Sequence, residues 1–129
     1  MAHSALMALV AVIDDDESVR ESLPDLLRTL GFAAKAFASA EEFLAANCIA
    51  ATRCLLLDVA MPGMSGPELH QQLILSKQTI AIIYITARAD QTLRRQLLQL
   101  GAVECLFKPF SEQQLRVALD AALQSTRGH

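Results

Sequence analysis

Five residues of the chain could do phosphorus chemistry together: Asp14, Asp15, Asp58, Thr86 and Lys108. Each stands at or just past the end of an apolar run. The most crowded stretch is VIDDDESVR, residues 12–20, where Asp14, Asp15, Asp16 and Glu17 follow one another. Like charges about 4 Å apart repel by roughly 1 kcal/mol in water and by about 4 kcal/mol near a protein surface. Solvent can screen them, or a cation can sit among them. Oxygen-only donors at this density suit Mg²⁺, with Mn²⁺ as the alternative, because these ions keep several waters and take one or two carboxylates plus a phosphate oxygen. One carboxylate beside such an ion can act as a nucleophile toward phosphorus. The Lys108 ammonium would hold a phosphoryl oxygen as a point charge, and the Thr86 hydroxyl would donate to another. Phosphoryl transfer asks mainly for positioning and charge neutralisation, which this set supplies.

These side chains meet only if the chain folds to bring its strand ends together. Apolar runs with strand character lie at 9–13 (LVAVI), 32–38 (FAAKAFA), 54–58 (CLLLD), 80–86 (IAIIYIT) and 102–107 (AVECLF). The first, third and fourth are nearly continuous apolar stretches, the pattern of strands covered on both faces. Amphipathic segments alternate with them. The first, from Glu17 to Leu30, carries Val19, Leu23, Leu26, Leu27 and Leu30 on one stripe, with Asp16 as N-cap and Gly31 as its stop. Pro24 inside it is awkward, since an interior proline costs about 3 kcal/mol and can kink a helix. Ser39 with Glu42, Ser65 with Glu68 and Ser111 with Gln114 have the spacing of capping boxes and open three further helices. Another helix covers roughly 89–100 and ends at Gly101. The order is (βα)₅: one α/β domain in which right-handed crossovers give a five-stranded parallel sheet with helices on both faces. Ligands of such sheets bind beyond the carboxyl ends of the strands. Taken singly, an acidic residue after a strand is usually solvated or capping; five chemically matched residues on one edge are not expected by chance.

Length and composition agree with this. The 129 residues are enough for one domain with a core, and 53% hydrophobic against 19% charged residues excludes a disordered chain. The net charge of −3 and the lack of a basic block argue against direct nucleic-acid binding. The run ALMALVAVI, residues 5–13, is too short to span a membrane and lacks signal-peptide flanks, so a cytoplasmic protein without membrane contact is expected. Cys48, Cys54 and Cys105 have no C-x-x-C spacing and are expected as buried free thiols. His3, His70 and His129 share no ligand spacing, MPGMSGP lacks the phosphate-loop pattern, and LRRQLLQL, residues 93–100, reads as a helical partner surface.

The segments VIDDDESVR, LLLDVAMPGMSGPEL, YITA and GAVECLFKPF resemble the response-regulator receiver domains of two-component signalling, the CheY-like superfamily, over residues 8–125, with residues 1–7 and 126–129 as flexible termini. FASAEEFL and GAVECLFKPF are most similar to receivers of the FixJ type, which usually precede a helix-turn-helix DNA-binding domain. The resemblance implies a flavodoxin-like fold with strand order 2-1-3-4-5. It implies that Asp58 accepts a phosphoryl group from a phosphohistidine of a sensor histidine kinase. Asp14 and Asp15 would hold Mg²⁺ with Asp58 and the backbone carbonyl of Ala60, Asp15 being a more direct ligand than Asp14. Thr86 and Lys108 would bind the phosphoryl group, and the Lys108–Pro109 bond would be cis. Phosphorylation would alter the face made by helix 4, strand 5 and helix 5, which commonly mediates dimerisation or contact with an output domain. Such a module is no enzyme, assisting only its own phosphorylation and dephosphorylation. Ala60 and Arg88 lie where the family tunes phosphoryl lifetime. One departure stands out: three residues before the lysine, where the family usually carries Tyr or Phe, this chain has Cys105, which puts the usual aromatic switch in doubt.

Two rivals remain at this level. A metal-dependent aspartyl phosphatase usually places a second acid two residues after the nucleophile, and here that position is Ala60. A receiver-like interaction module that needs no phosphorylation is kept open by Cys105.

Overall fold

The computed structural model describes residues 8–127, so expectations for residues 1–7 and 128–129 lie outside the described residues. Five strands, β1 (Leu9–Ile13), β2 (Ala33–Phe37), β3 (Thr52–Asp58), β4 (Ala81–Thr86) and β5 (Glu104–Phe107), alternate with five helices, α1 (Glu17–Thr29), α2 (Ala40–Ala45), α3 (Gly66–Leu75), α4 (Gln91–Leu100) and α5 (Glu112–Arg127). The strands form one parallel sheet in the order β2-β1-β3-β4-β5. This is the flavodoxin-like architecture expected from the sequence. Among the described residues no helix is long and apolar enough to cross a membrane.

The two-residue period of the strands divides the core. Val10, Val12, Cys54, Leu56, Ile83 and Ile85 face one way and pack with Leu23 and Leu27 of α1 and Leu115 and Leu119 of α5. Ala11, Ile13, Leu55, Leu57, Ile82 and Tyr84 face the other way, against Phe43 of α2, Leu69 and Leu73 of α3 and Leu97 of α4. Both faces of β1, β3 and β4 are thus covered, which explains their unbroken apolar runs. Register aligns the strand ends: Ile13 pairs with Leu57, Asp58 with Ile85 and Thr86 with Phe107. The order in which strands are added reverses between β1 and β3, and this topological switch point opens a crevice at their carboxyl ends.

Local signals hold with shifts of one or two residues. Helix α1 runs unbroken through Pro24, whose ring is buried; burial of the ring offsets part of the missing hydrogen bond. Ser65 and Glu68 form a full capping box, as do Ser111 and Gln114. At α2 the box is displaced: Ser39 accepts from the Glu42 amide, but the Glu42 carboxylate accepts from the amide of Ala38 instead of Ser39. Asp90, not residue 89, marks the start of α4 by capping Thr92 and Leu93. Helix α5 continues to Arg127, two residues past the expected domain end.

Leu56 has no exposed surface and sits mid-sheet between the two neighbours Val12 and Ile83. Leu56→Ala is expected to lower unfolding free energy by about 2–5 kcal/mol, through lost burial plus the cavity left behind. Urea denaturation followed by circular dichroism checks this.

Candidate functional site

The acidic run after β1 divides its labour. Asp14 is wholly buried, Asp15 is exposed at the rim, and Asp16 turns away to cap α1 by accepting from the Ser18 amide and hydroxyl. Those two bonds to Ser18 hold the Asp16 carboxyl below its ordinary range. Asp14 is fixed at every polar atom. Its amide donates to the Phe37 carbonyl at 3.1 Å and its carbonyl accepts from Arg20 at 3.0 Å. One carboxylate oxygen accepts from the Asp16 amide at 2.9 Å, and the other from the Lys108 ammonium at 2.9 Å.

Asp58 ends β3 and is 9% exposed. One carboxylate oxygen from each of Asp14, Asp15 and Asp58 lies within 4.8 Å of the others. Burial, and then the Asp14 charge, push the Asp58 carboxyl up to about 7, against a smaller opposing pull from Lys108. The backbone under Asp58 is pinned by the start of α3. A Cβ on Gly66 would lie 2.3 Å from the Asp58 carbonyl oxygen, so only glycine permits this approach, and the Gly66 amide donates to the Val59 carbonyl at 3.0 Å.

Thr86 is buried at the end of β4, and its hydroxyl oxygen accepts from the Arg88 amide at 3.1 Å. The Lys108 amide donates to the Thr86 carbonyl at 2.8 Å, tying the β5 end to the β4 end, and the Lys108–Pro109 bond is cis. Ala60 lies exposed in the β3–α3 loop, two residues past Asp58. Asp14, Asp15, Asp58, Ala60, Thr86 and Lys108 therefore occupy the carboxyl edge of the sheet, whereas Cys105 is buried within β5 beside Tyr84. Burial pushes the Cys105 thiol up to about 11 and the Cys54 thiol to about 12, so both are held as neutral thiols.

Three carboxylates against one ammonium leave excess negative charge in a poorly solvated crevice. An all-oxygen set of this kind fits a small divalent cation: Asp14, Asp15 and Asp58 are the side chains that would hold it, with Ala60 near enough in sequence to offer its carbonyl.

Two features escaped the sequence. The Tyr84 hydroxyl and His70 Nδ1 lie 2.8 Å apart in the core between β4 and α3, and burial lowers the His70 pKa. The Glu41 carboxylate of α2 accepts from the Met64 amide in the β3–α3 loop at 2.9 Å. A polar residue inside an otherwise apolar strand was the available hint for Tyr84; nothing local marks Glu41.

The raised Asp58 pKa has a stability consequence with a definite sign. The folded state retains a proton on Asp58 from its ordinary range near 3.8 up to about 7, while the unfolded chain has released it. This contribution is fully present below about pH 4 and is lost as pH rises through about 7. In metal-free buffer containing a chelator, Asp58→Asn is expected to gain stability over the wild type as pH climbs across that window. Thermal melts from pH 4 to pH 8 check the trend.

Comparison with known proteins agrees with this geometry. Residues 10–120 match the family model for the response regulator receiver domain. The chain is 40% identical over 125 residues to nodulation protein W of Bradyrhizobium diazoefficiens, covering 97% of this chain and 55% of that protein. It is 40% identical over 114 residues to the transcriptional regulatory protein FixJ of Azorhizobium caulinodans, covering 88% of this chain and 54% of that protein. The chain thus spans about half the length of these curated relatives. Among solved structures, the response regulator StyR superposes with a TM-score of 0.84 at 44% identity, over 92% of this chain and 60% of that one. FixJ-N superposes with a TM-score of 0.80 at 37% identity, over 90% and 93% respectively. A parallel sheet ordered 2-1-3-4-5, carboxylates gathered at its switch point and a family match over most of its length together make this chain a member of the response-regulator receiver domains of two-component systems.

Proposed function

We propose that the chain is a cytoplasmic phosphoacceptor module in which Asp58 takes a phosphoryl group from a phosphohistidine of a sensor histidine kinase. The observation that carries this is the meeting of three carboxylates within 4.8 Å at the strand ends, with Lys108 bound to one of them. An Asp58 carboxylate oxygen attacks phosphorus; the P–N bond breaks, and its electron pair stays with the imidazole nitrogen. Asp58 is the acceptor because it ends β3 at the crevice, held by the Gly66 contact, whereas Asp14 is already committed to Lys108 and the Asp16 amide. A Mg²⁺ held by Asp14, Asp15, Asp58 and the Ala60 carbonyl would supply charge neutralisation for the transferring group. Lys108 swings a hydrogen bond from Asp14 to a phosphoryl oxygen, and the Thr86 hydroxyl, whose oxygen accepts from the Arg88 amide, donates its proton to another.

The readout follows from these exchanges. Phosphorylation adds about 1.5–2 negative charges where Thr86 and Lys108 end β4 and begin the β5–α5 loop. Both are continuous with the face made by α4, β5 and α5, which carries the Arg94–Glu104 ion pair and an exposed Val117. That face is the proposed surface for dimerisation of the phosphorylated form or for contact with an output domain, of transcriptional type by analogy with FixJ. Cys105 leaves no aromatic ring at the usual position on it, so Thr86 and the backbone of β4 and β5 transmit the change.

Incubation with acetyl phosphate and Mg²⁺ is expected to add the mass of one phosphoryl group to the wild type, in an acid-labile form, and none to Asp58→Asn. Lys108→Ala and Thr86→Ala are expected to slow labelling by about 100-fold, the lower end of the scale on which removal of a group stabilising transition-state charge slows a reaction. Intact mass spectrometry reads both; an unmodified wild type speaks for an interaction module that works without phosphorylation.

A further inference from the structure

Glu41 has no part in the chemistry above, yet it is placed to control the loop that does. It lies in the first turn of α2, on a different element from any rim residue. Its carboxylate reaches across 23 residues of sequence to accept the Met64 amide at 2.9 Å. The same carboxylate fills the space where Gly63 would carry a side chain: a Cβ there would lie 2.8 Å from Glu41 Oε2. Gly63 has φ +77°, a left-handed conformation that glycine adopts freely, so the loop is shaped both to turn here and to receive an acid. Hydrogen bonds from Met64 and from its own amide hold the Glu41 carboxyl below its ordinary range.

The β3–α3 loop, residues 59–65, is otherwise fastened at its two ends. The Gly66 amide binds the Val59 carbonyl, and the Ser65–Glu68 capping box fixes the start of α3. Buried Met61 and half-buried Met64 anchor its side chains in the core between the sheet and α2–α4. Glu41 adds a clamp from a neighbouring helix, at Met64 just before that capping box.

We propose that Glu41 is a positioning residue for divalent-cation binding: by fixing the Met64 amide it holds the loop whose Ala60 carbonyl would join the carboxylates of Asp14, Asp15 and Asp58 around the ion. This rests on the phosphoacceptor reading and goes beyond it in placing control of the cation site on α2. Glu41 acts through geometry, not through its charge, and the two are separable. Glutamine keeps an oxygen acceptor of the same reach without the charge. Aspartate keeps the charge but is one methylene too short.

The test is Mg²⁺ titration of the purified protein by calorimetry, with amide hydrogen exchange at Met64 as an independent readout. Glu41→Ala and Glu41→Asp are expected to bind Mg²⁺ about 3- to 10-fold more weakly, below the 10- to 100-fold typical for direct partners of a metal ligand. Both are expected to exchange the Met64 amide faster than the wild type. Glu41→Gln is expected to keep near-wild-type affinity and protection. Glu42→Ala, which removes only the bond to Ala38 on the same turn, is expected to leave Mg²⁺ affinity unchanged. Wild-type affinity in Glu41→Ala and Glu41→Asp overturns the proposal, whatever happens to their melting temperatures. Weakening in Glu41→Gln with none in Glu41→Asp overturns it in favour of long-range charge. A wild type that binds no Mg²⁺ removes the phosphoacceptor reading as well, whereas a wild type that binds Mg²⁺ and labels on Asp58 beside indifferent Glu41 variants removes only the positioning role.

Discussion

Asp14 and Asp58 are brought side by side at the ends of adjacent strands, where water reaches them poorly, and their mutual repulsion has to be met from elsewhere in the chain. Lys108 meets part of it, from a position 94 residues away in sequence. Asp14 is wholly buried and the lysine side chain is 22% exposed, so this is a contact whose loss leaves an uncompensated charge in the crevice. Breaking such a pair by removing one member costs about 3–5 kcal/mol, far more than a surface ion pair contributes. The contact exists only because the sheet is parallel and in register: the ends of β1, β3, β4 and β5 must lie on one edge for the lysine following β5 to reach the aspartate following β1.

Much of this was legible in the amino acids, for reasons that differ from residue to residue. Strands β1, β3 and β4 announced themselves because burial on both faces leaves their central residues almost wholly apolar; the polar start of β3, Thr52 and Arg53, was missed. Strand β2 is an edge strand, and Lys35 and the alternating alanines blur its limits; its ends were overdrawn by one residue each. The rim residues could be named because each follows a strand, and parallel topology then sends all of them to the same edge. Hidden instead were contacts set by how a helix seats on the sheet. Glu41 stands in SAEEFL beside Glu42, and nothing in that string distinguishes the carboxylate that binds the turn before α2 from the one that crosses to the next loop.

The interior between the sheet and α2–α4 carries a second kind of information. Tyr84 brings a hydroxyl into a layer of Ile, Leu and Met, and His70 supplies its partner from α3. A buried hydroxyl without a partner costs about 1–3 kcal/mol, so the two residues are best understood as one unit. Cys105 is Tyr84's cross-strand neighbour and is also buried. Volume at this level of the core is therefore supplied from β4, by a ring that is hydrogen-bonded in place, and not from β5.

The close approach of Gly66 to Asp58 has a mechanical meaning. With no methyl-sized gap between the first residue of α3 and the Asp58 carbonyl, neither backbone can shift toward the other. On the β4 side the packing is of another kind: Thr86 is held by hydrogen bonds from the Arg88 and Lys108 amides. Asp58 therefore stands between a flank closed by backbone contact and a flank tied by hydrogen bonds, so its two sides differ mechanically.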